Sequence, residues 1–426
     1  MSVPELPLLT QWVVPGVTAV TCVVSVVAVA RRPSRWVRRW LPMSLVGGAL
    51  ILTAVVTGFR VAELGTAGVP LSLWCAAFAA GAALPTAILG SVQGRWWQRV
   101  SAVATVPATL VVLLLVANLW TGYFSTTTRA WEALTGETLQ GQITASDLDH
   151  LRGDPPTTGR ILSLPNPNGP SSFTHRTEYA YIPPNWFRDP QRPLRAIIMI
   201  GGVLTTTTDW IRSGDATRTA DRYERATGRS PILVFVDPTG RLGNDTECVD
   251  SPRGRAESHI IDDVLPWVSN TLARGRHVDV AVAGWSMGGT CAMTLALRHP
   301  ERFRGFASIQ GDLRPDVGGR QRTIDELHGG STRRWFEHDP LTMLRDHQRY
   351  RGMFAWFAAP GSGPPQRCSA GGRDECRTTL QLADAARAAG LRTSVTLEPG
   401  RHDWPFAARG FSRALPRLIA QMHSGR

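Results

Sequence analysis

Lysine is absent: all 46 basic residues of the 426-residue chain are arginine. A phosphate-cradling Gly loop that depends on a following lysine is therefore excluded. No His-x-x-x-His pair falls on a predicted helix and no Cys/His spacing suits a metal, so neither a metal nor another cofactor is expected. No segment of 20–50 residues repeats, which excludes a solenoid. Dense basic runs and basic–aromatic interleaving are missing too, although the formal net charge is +12. Residues 1–121 hold eight Arg and two acidic residues; residues 122–426 hold 38 and 32, so each part carries +6. That distribution gives no nucleic-acid footprint.

What residues 1–121 do contain is apolar sequence. Four stretches, Trp12–Ala30, Leu41–Phe59, Val69–Ser91 and Val100–Trp120, each suffice to cross about 30 Å of hydrocarbon as a helix. The first intervening loop, "RRPSRWVRRW", has five Arg, and the third, "QGRWWQRV", has two. The middle loop, "RVAELGTAGV", has one Arg and one Glu. The positive-inside rule puts the Arg-rich loops in the cytoplasm and the C-terminal part outside. A cleaved signal peptide is the competing reading of the first stretch, but Glu5 precedes it and the Arg cluster follows. Arg60 and Glu63 could form an intramembrane pair of the kind transporters use. Snorkelling at the end of the second span accounts for them more simply. Trp36, Trp40, Trp96, Trp97 and Trp120 fall at segment ends, as an interfacial belt requires.

Residues 122–158 read as a linker closed by Pro155-Pro156. From Gly159 onward, short apolar runs alternate with helical patterns. "AIIMI", "ILVFV", "VDVAVAG" and "MFAWFAA" are continuous enough for strands buried on both faces. "AESHIIDDVLPWVSNTLA" places Ile260, Ile261, Val264, Leu265 and Val268 on one helical face. The expectation is an α/β domain, 159–426, with a mostly parallel doubly wound sheet, after a four-helix transmembrane region, 1–121.

Within it, "HVDVAVAGWSMGGTCAMTLALRHP" sets Ser286 between a strand and a helix, flanked by Gly284 and Gly288. That pattern is the nucleophile elbow of α/β hydrolases, with the serine at a helix N-terminus. A plain Gly-rich βα loop is the alternative. A serine near neutral pH needs a base, and in this fold the chain order is Ser, acid, His. His402, in "EPGRHDWPF", directly follows the last predicted strand. His299, His328, His338, His347 and His423 sit in a helix end, a polar insertion or the tail. The acid belongs after the penultimate strand, where Asp374 and Glu375 stand side by side; Asp374 is preferred, and Asp312 reads as structural. The oxyanion donors should be the N–H groups of Met287 and Val203, the latter after "AIIMIGG". Thr205–Thr208 either line a pocket or form a solvated loop.

The six cysteines divide by position. Cys22 and Cys75 lie in apolar stretches and should be packed thiols. Cys248, Cys291, Cys368 and Cys376 suggest two disulfides, Cys248–Cys291 and Cys368–Cys376, with buried free thiols as the alternative.

These motifs have a family likeness. From about Gly159 to Trp404 the chain resembles the antigen 85-like esterase branch of the α/β-hydrolase superfamily. That branch contains the antigen 85 mycolyltransferases and S-formylglutathione hydrolases. The likeness is carried by "EYAYIPPNWF", "AIIMIGG", "NDTECVDSPRGRAES", "GWSMGGTCAMTLALRHPERFRGFASIQG" and "EPGRHDWPF". The arrangement as a whole looks like membrane-anchored actinobacterial esterases. The resemblance implies Ser286 as nucleophile, His402 as base, the acid in the Asp374–Glu375 loop, Val203 and Met287 as oxyanion donors, and Trp404 as a substrate-binding aromatic. The chain departs from the mycolyltransferases in its N-terminal spans and in the insertion "VGGRQRTIDELHGGSTRRWFEHDP".

The resulting expectation is a multi-pass membrane protein with an extracytoplasmic serine esterase or acyltransferase domain. It would act on lipid or envelope glycolipid esters through an acyl-enzyme. The rivals are an aminoacyl-phospholipid ester hydrolase with the same triad, an inactive hydrolase-fold envelope scaffold, and a transporter with a regulatory domain.

Overall fold

A computed structural model describes residues 5–10, 12–61, 69–165, 169–189, 191–346, 350, 352–362, 367–368 and 373–422. Glu63, His347 and His423 lie outside the described residues. The chain forms two compact units, Met1–Gly136 and Glu137–Arg426.

The first unit is built on four apolar helices: α1 (Val13–Val29), α2 (Ser34–Val61), α3 (Leu71–Val92) and α4 (Trp96–Thr121). The last three are long and apolar enough to cross a membrane, whereas α1 has 17 residues. At about 1.5 Å per residue, 22 residues already span roughly 33 Å. Helix α3 packs on α2 and α4, and α1 packs on α4. Glycines let α2 and α3 approach: a Cβ on Gly81 would lie 2.3 Å from the Gly47 carbonyl oxygen. The buried Arg32 follows α1 and donates to the carbonyls of Ala28, Gly90, Gln93 and Gln98. One side chain thus links the two Arg-rich loops, which lie at the same end of the bundle. Cys22 and Cys75 are unpaired but exposed rather than packed. They join Val20, Val26, Leu50 and Ile88 on outward helix faces.

Among the described residues the second unit has a ten-stranded sheet. Its strands are β1 (Gln142–Ile143), β2 (Arg160–Ser163), β3 (Tyr179–Ile182), β4 (Leu194–Ile200) and β5 (Ile232–Val236), then β8 (Val278–Trp285), β9 (Phe303–Ile309), β10 (Phe354–Ser362), β11 (Arg367–Cys368) and β12 (Arg392–Glu398). A separate hairpin pairs β6 (Asp250–Ser251) with β7 (Gly254–Arg255). The order is β1-β2-β3-β5-β4-β8-β9-β10, with β12 on the far side of β10 and β11 on its end. Strand β3 runs antiparallel to both neighbours, and the six strands from β5 through β12 are mutually parallel. Every side chain of β5 is buried, as the apolar runs predicted. Helices Met287–Arg298 and Arg373–Ala388 cover one group of strands, and Trp404–Gln421 packs on β9 and on helix Ala216–Thr227. The fold is a doubly wound α/β hydrolase. Register aligns Ile200 with Gly284 and Trp285 with Ile309, so the loops after β4, β8 and β9 leave one carboxyl edge together. In this fold type that edge carries the site.

Candidate active site

Ser286 separates β8 from the helix Met287–Arg298 and has φ 59° and ψ −130°. A non-glycine residue holds such angles only where its surroundings over-determine them. The surroundings here are close backbone contacts. A Cβ on Gly284 would lie 1.9 Å from the Gly288 carbonyl oxygen, and one on Gly288 would lie 2.3 Å from that of Ile200. Only glycine fits either position. The Ser286 N–H donates to Ile309 O at 3.0 Å, which pins the turn to β9. A plain Gly-rich loop would need none of this.

The loop after β4 passes beside the serine: a Cβ on Gly202 would be 3.3 Å from Ser286 Cβ. Val203 follows in that loop, and Met287 is the first residue of a helix whose leading N–H groups lack internal partners. Met287 thus follows Ser286 directly, and Val203 follows the glycine whose backbone lies against it. Thr205–Thr208 alternate: Thr206 is exposed, as a solvated loop requires, and Thr205 and Thr207 are buried. Thr205 Oγ1 donates to Gly202 O at 2.8 Å and Thr207 Oγ1 to Thr177 O at 2.7 Å, both buried, so the run braces the loop.

His402 lies after β12, and its ring is 5.2 Å from Trp285, the residue before the serine. Its Nδ1 meets Glu375 Oε1 at 3.0 Å. The carboxylate behind the imidazole is thus Glu375, and the preference for Asp374 is corrected. Both open the helix Arg373–Ala388, but successive helical residues point about 100° apart, so only one can face His402. Asp374 is exposed. Burial opposes the charge of Glu375, yet hydrogen bonds from His402 and Gln310 prevail and hold its carboxyl below the usual range.

Gln310 is the residue that sequence reasoning missed. It has φ 50° just beyond β9 and accepts from Trp285 Nε1 at 3.0 Å. Its Nε2 donates to Glu375 Oε2 at 2.8 Å and Arg401 O at 3.2 Å. One amide therefore ties the strand before Ser286 to Glu375 and to the backbone just before His402. The available signal was its place at the carboxyl end of a central strand, next to Gly311.

Trp404 is also corrected. It is fully buried between Trp285 at 4.6 Å and Trp210 at 5.3 Å, so it supports Trp285 from below rather than facing a substrate. Asp312 donates its N–H to Thr290 Oγ1 and stands within electrostatic reach of His402. His299 and His338 hold Glu257, far from any catalytic task.

Both suspected disulfides form, each with a Cα–Cα distance of 5.4 Å. Cys248–Cys291 anchors the helix that follows Ser286, and Cys368–Cys376 anchors the turn carrying Glu375.

A strained serine elbow and an imidazole–carboxylate pair on the same sheet edge define a serine hydrolase of the α/β-hydrolase class. Residues 172–406, more than half of the chain, match the family model described as "Putative esterase", and the chain belongs to that family. An uncharacterized protein of Corynebacterium glutamicum is 27% identical over 273 residues, 62% of each chain. The chain thus spans less than two thirds of that relative's length. Similar solved structures include a ferulic acid esterase, 16% identical over 62% of this chain and 98% of its own, with a TM-score of 0.49. An S-formylglutathione hydrolase from Agrobacterium tumefaciens is 17% identical over 63% and 97%, with a TM-score of 0.49. MPT51 from Mycobacterium tuberculosis is 17% identical over 61% and 99%, with a TM-score of 0.43.

Proposed function

We propose that this protein is a membrane-anchored esterase or acyltransferase that acts outside the cytoplasm on lipid or envelope glycolipid esters. Ser286 Oγ attacks the ester carbonyl while His402 takes its proton, with Glu375 orienting the imidazole. The N–H groups of Val203 and Met287 stabilise the oxyanion. The alcohol leaves with the proton returned by His402, and water or a sugar hydroxyl then resolves the acyl-enzyme. The observation that carries this reading is the strained φ of Ser286 on the same sheet edge as a histidine already paired with a carboxylate, with that histidine's ring 5.2 Å from Trp285.

Two features support an apolar acyl group. Leu204 and Leu242 are 38% and 62% exposed, and Gly243 N–H donates to Val203 O at 3.3 Å, which brings both leucines beside the oxyanion loop. The apolar helices supply the anchor. The extracytoplasmic side rests on the Arg-rich loops sharing one end of the bundle.

The aminoacyl-phospholipid ester is the second reading, since its hydrolysis would use the same acyl-enzyme chemistry. Fluorophosphonate labelling of the full chain in detergent should modify Ser286 and vanish in Ser286→Ala. Turnover of simple acyl, glycolipid and aminoacyl-lipid esters, with and without trehalose, then separates the substrate readings. Unlabelled folded protein would favour the scaffold.

A further inference from the structure

We propose that His175, Glu178 and His259 form a binding site for a divalent transition-metal ion, zinc being the best match. The site lies outside the catalytic constellation.

The three residues come from two segments, His175 and Glu178 just before β3 and His259 after β7. One ligand atom from each lies within 4.8 Å of the others. Their side chains are 3%, 1% and 3% exposed. An imidazole–imidazole–carboxylate set is a borderline-soft N2O donor group, which zinc takes with one position left for water.

The orientation of His259 is the stronger argument. Its Nδ1 lies 3.0 Å from Asp263 Oδ2 and its Nε2 lies 3.0 Å from Glu178 Oε1. With the Nδ1 proton donated to Asp263, Nε2 presents a lone pair to a carboxylate lone pair. A cation must bridge them, either a proton or a metal. A carboxylate fixing the far nitrogen of a ligating histidine is the usual outer shell of such sites. Ser171 holds Asp263 in turn. The π-helical turn His259–Val264 brings His259 and Asp263 together, and such turns recur at functional sites.

A proton needs two partners, and His259 with Glu178 supplies them. The third donor is what a proton leaves unexplained. His175 stacks on His259 with centroids 4.4 Å apart, and its Nδ1 donates to Arg176 O at 2.9 Å, which leaves Nε2 as the nitrogen with a lone pair to offer. Two buried imidazoles converging on one carboxylate suit a dication better than a single proton. On binding, the ion replaces the Nε2 proton, which leaves to solvent. A cleft of about 790 Å³ has Phe173 in its wall, and that ring lies 5.3 Å from His259.

The site is structural rather than hydrolytic in its placement. Glu178 also accepts the Asp237 N–H at the end of β5, at 2.7 Å. Thr177, beside it, accepts from Thr207 of the oxyanion-loop brace. An ion here would stiffen the ground under that loop.

The test is metal analysis of the full chain in detergent, purified without chelator and then dialysed against zinc. About one zinc per chain is expected, with loss of most of it in folded His175→Gln. Cobalt(II) titration of wild-type protein should give the visible bands of a four-coordinate site without a thiolate charge-transfer band, since no cysteine is involved. This readout needs no variant to fold. Wild-type protein that takes up neither ion would overturn the proposal and leave a proton as the bridge. Zinc content unchanged in His175→Gln would also overturn it, by placing the metal elsewhere.

Discussion

The helix Met287–Arg298 has a histidine–carboxylate cluster at each end, and the two differ in how the carboxylate is held. At its N-terminal end, around Ser286, His402 and Glu375 are 40% and 32% exposed, and Glu375 accepts from His402 and Gln310. At its C-terminal end Glu257 is 9% exposed and accepts from Arg298, His299 and His338. Burial works against the Glu257 charge, but these partners hold its carboxyl far below the usual range. A carboxylate saturated by three donors locks a structure. One that orients a half-exposed imidazole leaves the ring able to exchange protons with a substrate. The residue types are the same, and solvent access with partner number separates catalysis from architecture.

The sharpest test of that contrast is Ser286→Ala. It should lower kcat by about 10⁶-fold with the denaturation midpoint unchanged, measured by ester turnover and chemical unfolding. Activity within tenfold of wild type would remove Ser286 from the mechanism. Glu375→Gln should lower kcat by roughly 10³- to 10⁴-fold by unsettling the imidazole, while Asp374→Asn stays within about twofold, as a surface change should. The reverse ranking would return the role to Asp374.

At the other end of the helix the expected effect is on stability. Glu257→Gln should lower the unfolding free energy by about 3 kcal/mol, since it removes the buried carboxylate that Arg298, His299 and His338 share, with kcat on a soluble ester changed less than about twofold. Unaltered stability would show that burial, not pairing, dominates that cluster.

The smallest effect is in acid. The His328 ring lies 5.1 Å from that of His338, tilted by 46°, and burial, aided by His338, pushes its imidazole down to about 4. Between pH about 6.5 and about 4 the unfolded chain binds this proton and the folded chain does not. Stability therefore falls as pH falls through that window, by at most about 3 kcal/mol. Glu257, whose folded value is depressed, adds a loss only below the ordinary carboxylate range. His328→Phe should flatten the upper part of the profile, as read by urea midpoints from pH 7 to 4.

Much of the site was legible because its signals are local. Gly284, Ser286 and Gly288 belong to one turn, and the contact that demands glycine at 284 is with Gly288 in that same turn. His402 was legible from its position after the last strand, and Val203 was read as a donor from its place after β4. The choice between Asp374 and Glu375 was not legible, since both start one helix and only its rotation against His402 separates them. Trp404 was misjudged because a motif shows residue type but not burial. Gln310, and the cluster of His175, Glu178 and His259, carry no local signature. Gln310 meets partners 25 to 91 residues away along the chain, and His259 meets Glu178 across 81.

By itself the amino-acid order determined four apolar helices with Arg-rich connections, a parallel sheet of buried strands and a serine on a sharp turn. Each follows from periodicity, burial preference or backbone sterics over a few residues. Only the tertiary structure decided which carboxylate orients His402, which tryptophan is sealed away, and where buried imidazoles converge. Those depend on helix rotation and strand register, which long-range packing sets.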